Sequence, residues 1–238
     1  MDVKDILKNK KLIIFDLDGT LIESLGVWNE IDTRVVAKIR GDGLDTRDNM
    51  YEIRSDAVKI FGSSPNPYVD YCYFLKEKYR SELSGEEIYK LRYQIAEELI
   101  INEVTYKPYA PEFIKKLKGE GYLLAIASSA QRKNINIYRT RNQNIISKAP
   151  LDDYFDVIFA RDDCKEIKPH PEVFIKTLEH FGLSPKDAII FEDSLVGVQS
   201  AKGAGVECCV VYDKNSDDER EEINALADYV IPSFKEFL

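Results

Sequence analysis

Two carboxylates one residue apart, Asp16 and Asp18, follow directly on the apolar run Leu12-Ile13-Ile14-Phe15. Side chains two apart on a strand share a face, so both acids can look into one pocket if the extended conformation continues past Phe15. Gly19 then permits a sharp turn or a close backbone approach. Paired acids at the end of a buried strand are costly unless a cation or a hydrogen-bond donor compensates them. The chemistry they suit is that of a hard metal ion and an electrophile. An exposed Asp-x-Asp-Gly turn is the plain alternative, since these are ordinary turn residues. Three later stretches weigh against it. Ser128 and Ser129 end the apolar run 122–127, Glu192 and Asp193 end the run 188–191, and Lys168 stands in Ile167-Lys168-Pro169-His170-Pro171. Each has an ordinary explanation alone: helix caps for the serines and for Asp193-Ser194, a solvated loop charge for Lys168. Their arrival together at strand and loop ends is harder to explain that way.

The elements that must position these groups follow from periodicity and punctuation. Runs 12–15, 122–127, 155–160, 188–191, 208–212 and 229–231 read as strands. Helices are expected between them at 111–118, 133–147, 172–181 and 195–204, with a solvated helix start in the acidic run 217–222. Pro169 disfavours a helical Lys168, which leaves that residue in a loop. His170 reads as a helix cap and His180 as a surface residue. Strands alternating with helices imply a parallel sheet covered on both faces, and ligands of such sheets sit beyond the carboxyl ends of the strands.

Residues 22–104 break the alternation. Trp28, Ile31, Val35 and Ile39 form one amphipathic helix, stopped by Gly41 and Gly43. Thr46 is expected to cap a second, carrying Met50, Ile53, Ala57 and Ile60 and ending at Gly62. Tyr71, Leu75 and Tyr79 mark a third, and Ser84 with Glu87 forms a capping box for a fourth. The fold expected is α/β: a Rossmann-like parallel sheet with helices on both faces, plus an inserted all-helical cap. Its core is residues 1–21 and 105–238, and its cap is 22–104. The cap tyrosines 51, 68, 71, 73, 79, 89 and 93 read as packing, as does Trp28. Arg34, Arg47 and Arg54 read as solvated charges, with contact to an anionic substrate as the alternative.

The four stretches, in order, closely resemble the haloacid dehalogenase superfamily. They are Asp16-Leu17-Asp18-Gly19-Thr20, Ala125-Ile126-Ala127-Ser128, Lys168-Pro169-His170-Pro171-Glu172 and Phe191-Glu192-Asp193-Ser194. The helical insertion after the first resembles the cap of the β-phosphoglucomutase-like branch, and the resemblance covers essentially the whole chain. It implies a Mg2+-dependent phosphatase of a small phosphorylated metabolite, with a sugar phosphomutase as the alternative. Asp16 is implied as the nucleophile that forms an aspartyl-phosphate, and Asp18 as the acid and base. Mg2+ is implied on the Asp16 and Asp193 carboxylates and the Asp18 backbone carbonyl, with Glu192 nearby, acting through water or on the loop. Ser128, Ser129 and Lys168 are implied to hold the phosphoryl oxygens, helped by backbone amides after Ser128 at a helix start. Asp18 favours phosphoryl transfer over dehalogenation, because a dehalogenase of this superfamily lacks such an acid two residues on.

Composition narrows the partners. The chain has 238 residues, 44% hydrophobic, and a formal net charge of -9. That balance argues against a nucleic-acid track or an anionic membrane as partner. Cys72, Cys164, Cys208 and Cys209 include no Cys-x-x-Cys pair, so buried free thiols fit better than a zinc or redox centre. No signal peptide or membrane span is expected. A cytoplasmic enzyme, monomeric or weakly dimeric, is the expectation. A signalling receiver domain would also gather acids, a hydroxyl and a lysine around Mg2+. It would carry its phosphoacceptor on a later strand and lack the insertion. A degenerate, binding-only member has no missing catalytic position to support it.

Overall fold

A computed structural model of the chain describes residues 3–41, 48–61, 64 and 66–238. The chain divides into two compact units, residues 1–24 with 104–238, and residues 25–103.

The first unit is built on one six-stranded sheet, every pairing parallel, in the order β3-β2-β1-β4-β5-β6. The strands are β1 (Leu12–Phe15), β2 (Leu123–Ala127), β3 (Val157–Phe159), β4 (Ala188–Glu192), β5 (Glu207–Val211) and β6 (Tyr229–Ile231). This is the doubly wound Rossmann-like order. The chain reaches β3 on one side of β1 and then crosses to β4 on the other, so the order reverses at β1.

Strand alternation sorts the core into two faces. Leu12 and Ile14 of β1, with Ala188 and Ile190 of β4, pack in one cluster with Phe174 and Val198. Phe15 and Phe191 take the opposite parity and stack at 5.1 Å among Phe113, Phe234 and Phe237. Among the described residues no helix is long and apolar enough to cross a membrane.

The second unit holds α1 (Leu25–Arg40), α2 (Met50–Ile60), α3 (Pro67–Tyr79) and α4 (Gly85–Asn102). Gly41 ends α1 at a positive φ of 72°. Asn49 caps α2 by accepting from the amides of Tyr51 and Glu52. The expected cap Thr46 and the stops Gly43 and Gly62 lie outside the described residues, as does Arg47. The Ser84–Glu87 capping box is present on α4. Two expectations are corrected here. Arg54 is not a solvated charge: its Nη1 donates to the fully buried Asp32 at 2.6 Å, and Arg92 Nε donates to the other Asp32 oxygen at 2.6 Å. Arg92 is itself buried, over the rings of Trp28, Tyr68 and Tyr71. Of the seven tyrosines read as packing, only Tyr71 is fully buried, whereas Tyr51, Tyr68 and Tyr73 are exposed.

The helices of the first unit are α5 (Ala110–Gly119), α6 (Arg132–Thr140), α7 (Gln143–Ile146), α8 (Leu151–Tyr154), α9 (Glu172–Phe181), α10 (Leu195–Gly203) and α11 (Arg220–Leu226). The expected helix 133–147 is two helices. It breaks at Asn142, whose side chain caps Ile145 and also donates to the Val104 carbonyl. That carbonyl belongs to the strand-like return from the helical unit. Thr105 accepts from the Glu23 amide at 2.8 Å, Tyr106 bridges Ile22, and the Lys107 amide donates to Leu21. Entry and exit of the insertion are thus held together by backbone hydrogen bonds.

Candidate active site

Register and parity bring the acids together. Phe15 lies opposite Phe191 in the parallel pair β1–β4, and the Asp16 amide extends that ladder by donating to the Phe191 carbonyl at 2.9 Å. Asp16 and Glu192 are therefore next in register. Both share the parity of Ile14 and Ile190, so both turn toward the face that carries Phe174. Lys168 comes up on that face. Its Nζ sits 4.8 Å from the centre of the Phe174 ring. It donates to Asp16 Oδ1 and Glu192 Oε1, each at 2.6 Å, and to the Ala127 carbonyl at 2.9 Å. The Lys168–Pro169 peptide is cis. All three side chains are buried.

Asp193 completes the group. Carboxylate oxygens of Asp16, Glu192 and Asp193 lie within 4.8 Å of one another, as the one such acidic cluster found among the described residues. Thr20, at the end of the first motif, donates its hydroxyl to Asp193 Oδ1 at 2.7 Å. Behind it the buried Lys107 pairs with Asp213 at 2.6 Å. Glu192 is fully engaged: its Oε2 accepts from the Asp193 amide at 3.1 Å and the Ser194 hydroxyl at 3.2 Å. That carboxyl leaves no space beside it. A Cβ on Gly197 would lie 2.0 Å from Glu192 Cδ. Ser194 caps α10 through the Gly197 amide, as an N-cap reading of Asp193-Ser194 expects.

Three carboxylates around a single ammonium leave an excess of buried negative charge, and the titration behaviour reflects it. Burial pushes the Asp16 carboxyl well up, with the Lys168 ammonium opposing and Glu192 adding to it. Burial, then the Glu192 charge, pushes Asp193 up to about 7. Burial alone would lower Lys168, but Asp16 and Glu192 carry it above its ordinary value, so it stays an ammonium. An all-oxygen donor set with surplus negative charge fits a hard divalent cation such as Mg2+.

Asp18 is not a member of that cluster. The chain turns at Gly19, φ 91°, and the Asp18 carboxylate accepts from the Tyr138 hydroxyl at 3.2 Å. Burial raises Asp18, with Ser24, Tyr138 and Lys168 acting against it. Ser128 is buried at the end of β2, and Ser129 is exposed. The helix start expected directly after Ser128, with its backbone amides, is corrected in one respect. Helix α6 begins only at Arg132, the Ser128 amide donates to the Phe159 carbonyl, and the Ala130 amide is satisfied by Ser128 Oγ at 3.0 Å. His170 Nδ1 accepts from the Glu172 amide at the start of α9, and His180 is exposed. Lys107, Asp213 and Tyr138 had no part in the sequence reading of the site, and Thr20 entered it only as the end of the first motif, without a role. Tyr138 left one trace: with Ile135 it forms a bulky pair, three apart, on a largely polar helix.

The family model of the haloacid dehalogenase-like hydrolases matches residues 13–211. Phosphoglycolate phosphatase of Aquifex aeolicus is 31% identical over 201 residues, 83% of this chain and 82% of that one. A phosphorylated carbohydrates phosphatase of Thermotoga maritima is 27% identical over 217 residues, 90% and 92% of the two chains. The crystal structure of CbbY from Rhodobacter sphaeroides in complex with phosphate superposes with a TM-score of 0.69 at 25% identity, covering 96% of each chain. With the sheet order and the four motifs in place, the chain belongs to the haloacid dehalogenase-like hydrolases and is an enzyme of their phosphatase kind.

Proposed function

We propose that this enzyme hydrolyses a small phosphorylated metabolite in a Mg2+-dependent reaction, through an aspartyl-phosphate on Asp16. The observation that supports it most is the buried junction of Asp16, Lys168, Glu192 and Asp193 at the carboxyl end of β1 and β4. Lys168 holds Asp16 Oδ1, which leaves Oδ2 to attack phosphorus. As the P–O bond to the leaving group breaks, Asp18 gives its proton to the departing oxygen. Asp18, now a carboxylate, then takes a proton from a water that attacks the phosphorus of the aspartyl-phosphate. The P–O bond to Asp16 breaks, inorganic phosphate leaves, and both aspartates return to their starting states. Ser128, Ser129 and the Lys168 ammonium neutralise the phosphoryl oxygens. A Mg2+ ion held by the Asp16 and Asp193 carboxylates and the Asp18 backbone carbonyl would supply charge neutralisation for an anionic nucleophile meeting an anionic substrate. Glu192 positions rather than reacts, since both its oxygens are engaged by donors.

In this reading the helical unit acts as a cap that selects the substrate, which the unit boundaries at Ser24 and Val104 support. The phosphoglycolate and phosphorylated-carbohydrate phosphatases among the relatives point to small phosphorylated acids and sugars as the first substrates to test. Four free cysteines support a reducing, cytoplasmic setting. The decisive experiment is acid quench of enzyme, Mg2+ and p-nitrophenyl phosphate, followed by peptide mass spectrometry. A phosphoryl group on Asp16, and loss of turnover in Asp16→Asn and on chelation, are expected. Undiminished turnover in Asp16→Asn overturns the nucleophile, and chelator-insensitive turnover overturns the metal. Net transfer to a sugar phosphate in place of water would establish the mutase alternative.

A further inference from the structure

We infer that Tyr138 is a positioning residue for Asp18, fixing which carboxylate oxygen exchanges the proton. The inference rests on the acid–base role proposed for Asp18. Helix α6 carries three bulky apolar or aromatic side chains, Ile135, Ile137 and Tyr138, and buries two of them, Ile135 and Tyr138. A phenol is an odd choice for a buried packing position. Phenylalanine fills the same space, whereas a buried hydroxyl without a partner is destabilising. The Tyr138 hydroxyl has a partner, Asp18 Oδ1, at 3.2 Å, while the residue as a whole is 1% exposed.

The helix that carries Tyr138 is itself anchored. The Arg132 amide donates to Asp162 at 2.6 Å, and the Arg132 guanidinium donates to the Ile158 carbonyl at 2.9 Å and pairs with Asp163. A rigid element therefore aims the phenol. A phenol keeps its proton at neutral pH, so the hydroxyl is the donor in this pair. One Asp18 oxygen thus has a standing hydrogen bond, and Oδ2 is left for the leaving group and later for the attacking water. The buried Ser24 hydroxyl also acts on the Asp18 carboxylate, but it has no hydrogen bond of its own in the structure, and the 3.2 Å bond from Tyr138 is the one that is made. The same segment, running from Ser128 at the end of β2 into α6, therefore carries both a candidate phosphate ligand and the group that orients the acid.

The test uses the dependence on the leaving group in the full-length enzyme with Mg2+. In a double-displacement hydrolase kcat/KM reports the phosphorylation step alone. For Tyr138→Phe, kcat/KM should fall about tenfold with phenyl phosphate, a poor leaving group, as expected when an acid of this kind is misoriented. With p-nitrophenyl phosphate, which needs little proton help, it should change by less than about twofold. The ratio of the two substrates cancels any loss of folded protein, and Tyr138→Met should move it in the same direction. In an Asp18→Asn background the added Tyr138→Phe should leave the ratio unchanged. Equal effects on both substrates would mean that Tyr138 only packs, and overturn the inference. So would a wild-type ratio in Tyr138→Phe. If the wild-type enzyme turns over neither ester and no phosphoryl group is found on Asp16, the proposed function itself has failed, and that result is distinct from a failure of Tyr138.

Discussion

Gly197→Ala is a one-methyl change whose outcome the geometry decides. The new Cβ would meet the Glu192 carboxyl carbon and both oxygens at 2.0–2.1 Å. An ordinary contact begins near 3.4 Å, so the carboxyl must retreat from 2.0 to 3.4 Å, about 1.4 Å. Lys168 Nζ now lies 2.6 Å from Glu192 Oε1. If the lysine stays with Asp16, a retreat along that line stretches the contact to roughly 4 Å, beyond a hydrogen bond. Losing a charge-assisted bond costs about 1.5–3 kcal/mol, and forcing a methyl into a full site costs about 1–3 kcal/mol more. Against this stands a gain of up to about 1 kcal/mol, because alanine is the better helix former. The net expectation is a destabilisation of roughly 1.5–5 kcal/mol. Urea unfolding followed by circular dichroism, in chelator, measures it without involving activity. Gly119→Ala, at the end of α5 with nothing within 4 Å of the added carbon, is the control and should be neutral or stabilising. If Gly197→Ala is as stable as the wild type, helix propensity alone has decided the outcome, and the tight seat of Glu192 is refuted.

Two further outcomes follow from the same kind of reasoning. Asp32→Ala should destabilise the helical unit by about 3–5 kcal/mol, since it strands Arg92 and Arg54 without their shared carboxylate; a differential-scanning shift within error of zero would show the network to be dispensable. Burial, then Glu192, holds Asp193 up to about 7, well above its unfolded value, so the metal-free protein loses stability as pH rises from about 4 to about 7. If Asp193 holds Mg2+ as proposed, the ion has to displace that proton, and its affinity should be about tenfold weaker one pH unit below 7 than one unit above. The Mg2+-induced rise in Tm should accordingly be larger at about pH 8 than at about pH 6, and equal shifts would contradict it.

Much of this architecture is legible in local sequence because the deciding interactions are local. β1 is a four-residue apolar run, α9 runs from its proline start to Gly182, and the Ser84–Glu87 box lies within four residues. The motif residues Asp16, Lys168 and Asp193 are brought together by strand ends and a loop, as the sheet rule anticipates. What sequence reading misses depends on distant partners. Asn142 breaks a helix because its amide finds Val104, 38 residues away. Arg54 is drawn into a buried pair because α1 presents Asp32 to it. Glu192 becomes the second anchor of Lys168 because β4 pairs with β1 in one particular register, and an acid two strand-crossings away in sequence carries no such label.

The paired backbone at residues 22–23 and 105–106 has a consequence for how such a chain can change over time. The sheet sees the long excursion only as two neighbouring ends already clasped to each other. Whatever is strung between Ser24 and Val104, whether four helices or a short hairpin, starts and finishes at the same doorway. Its length places no pull on β1. Insertions of different size and chemistry can therefore be exchanged there like attachments on a common handle, while the carboxyl ends of β1 and β4 keep their geometry.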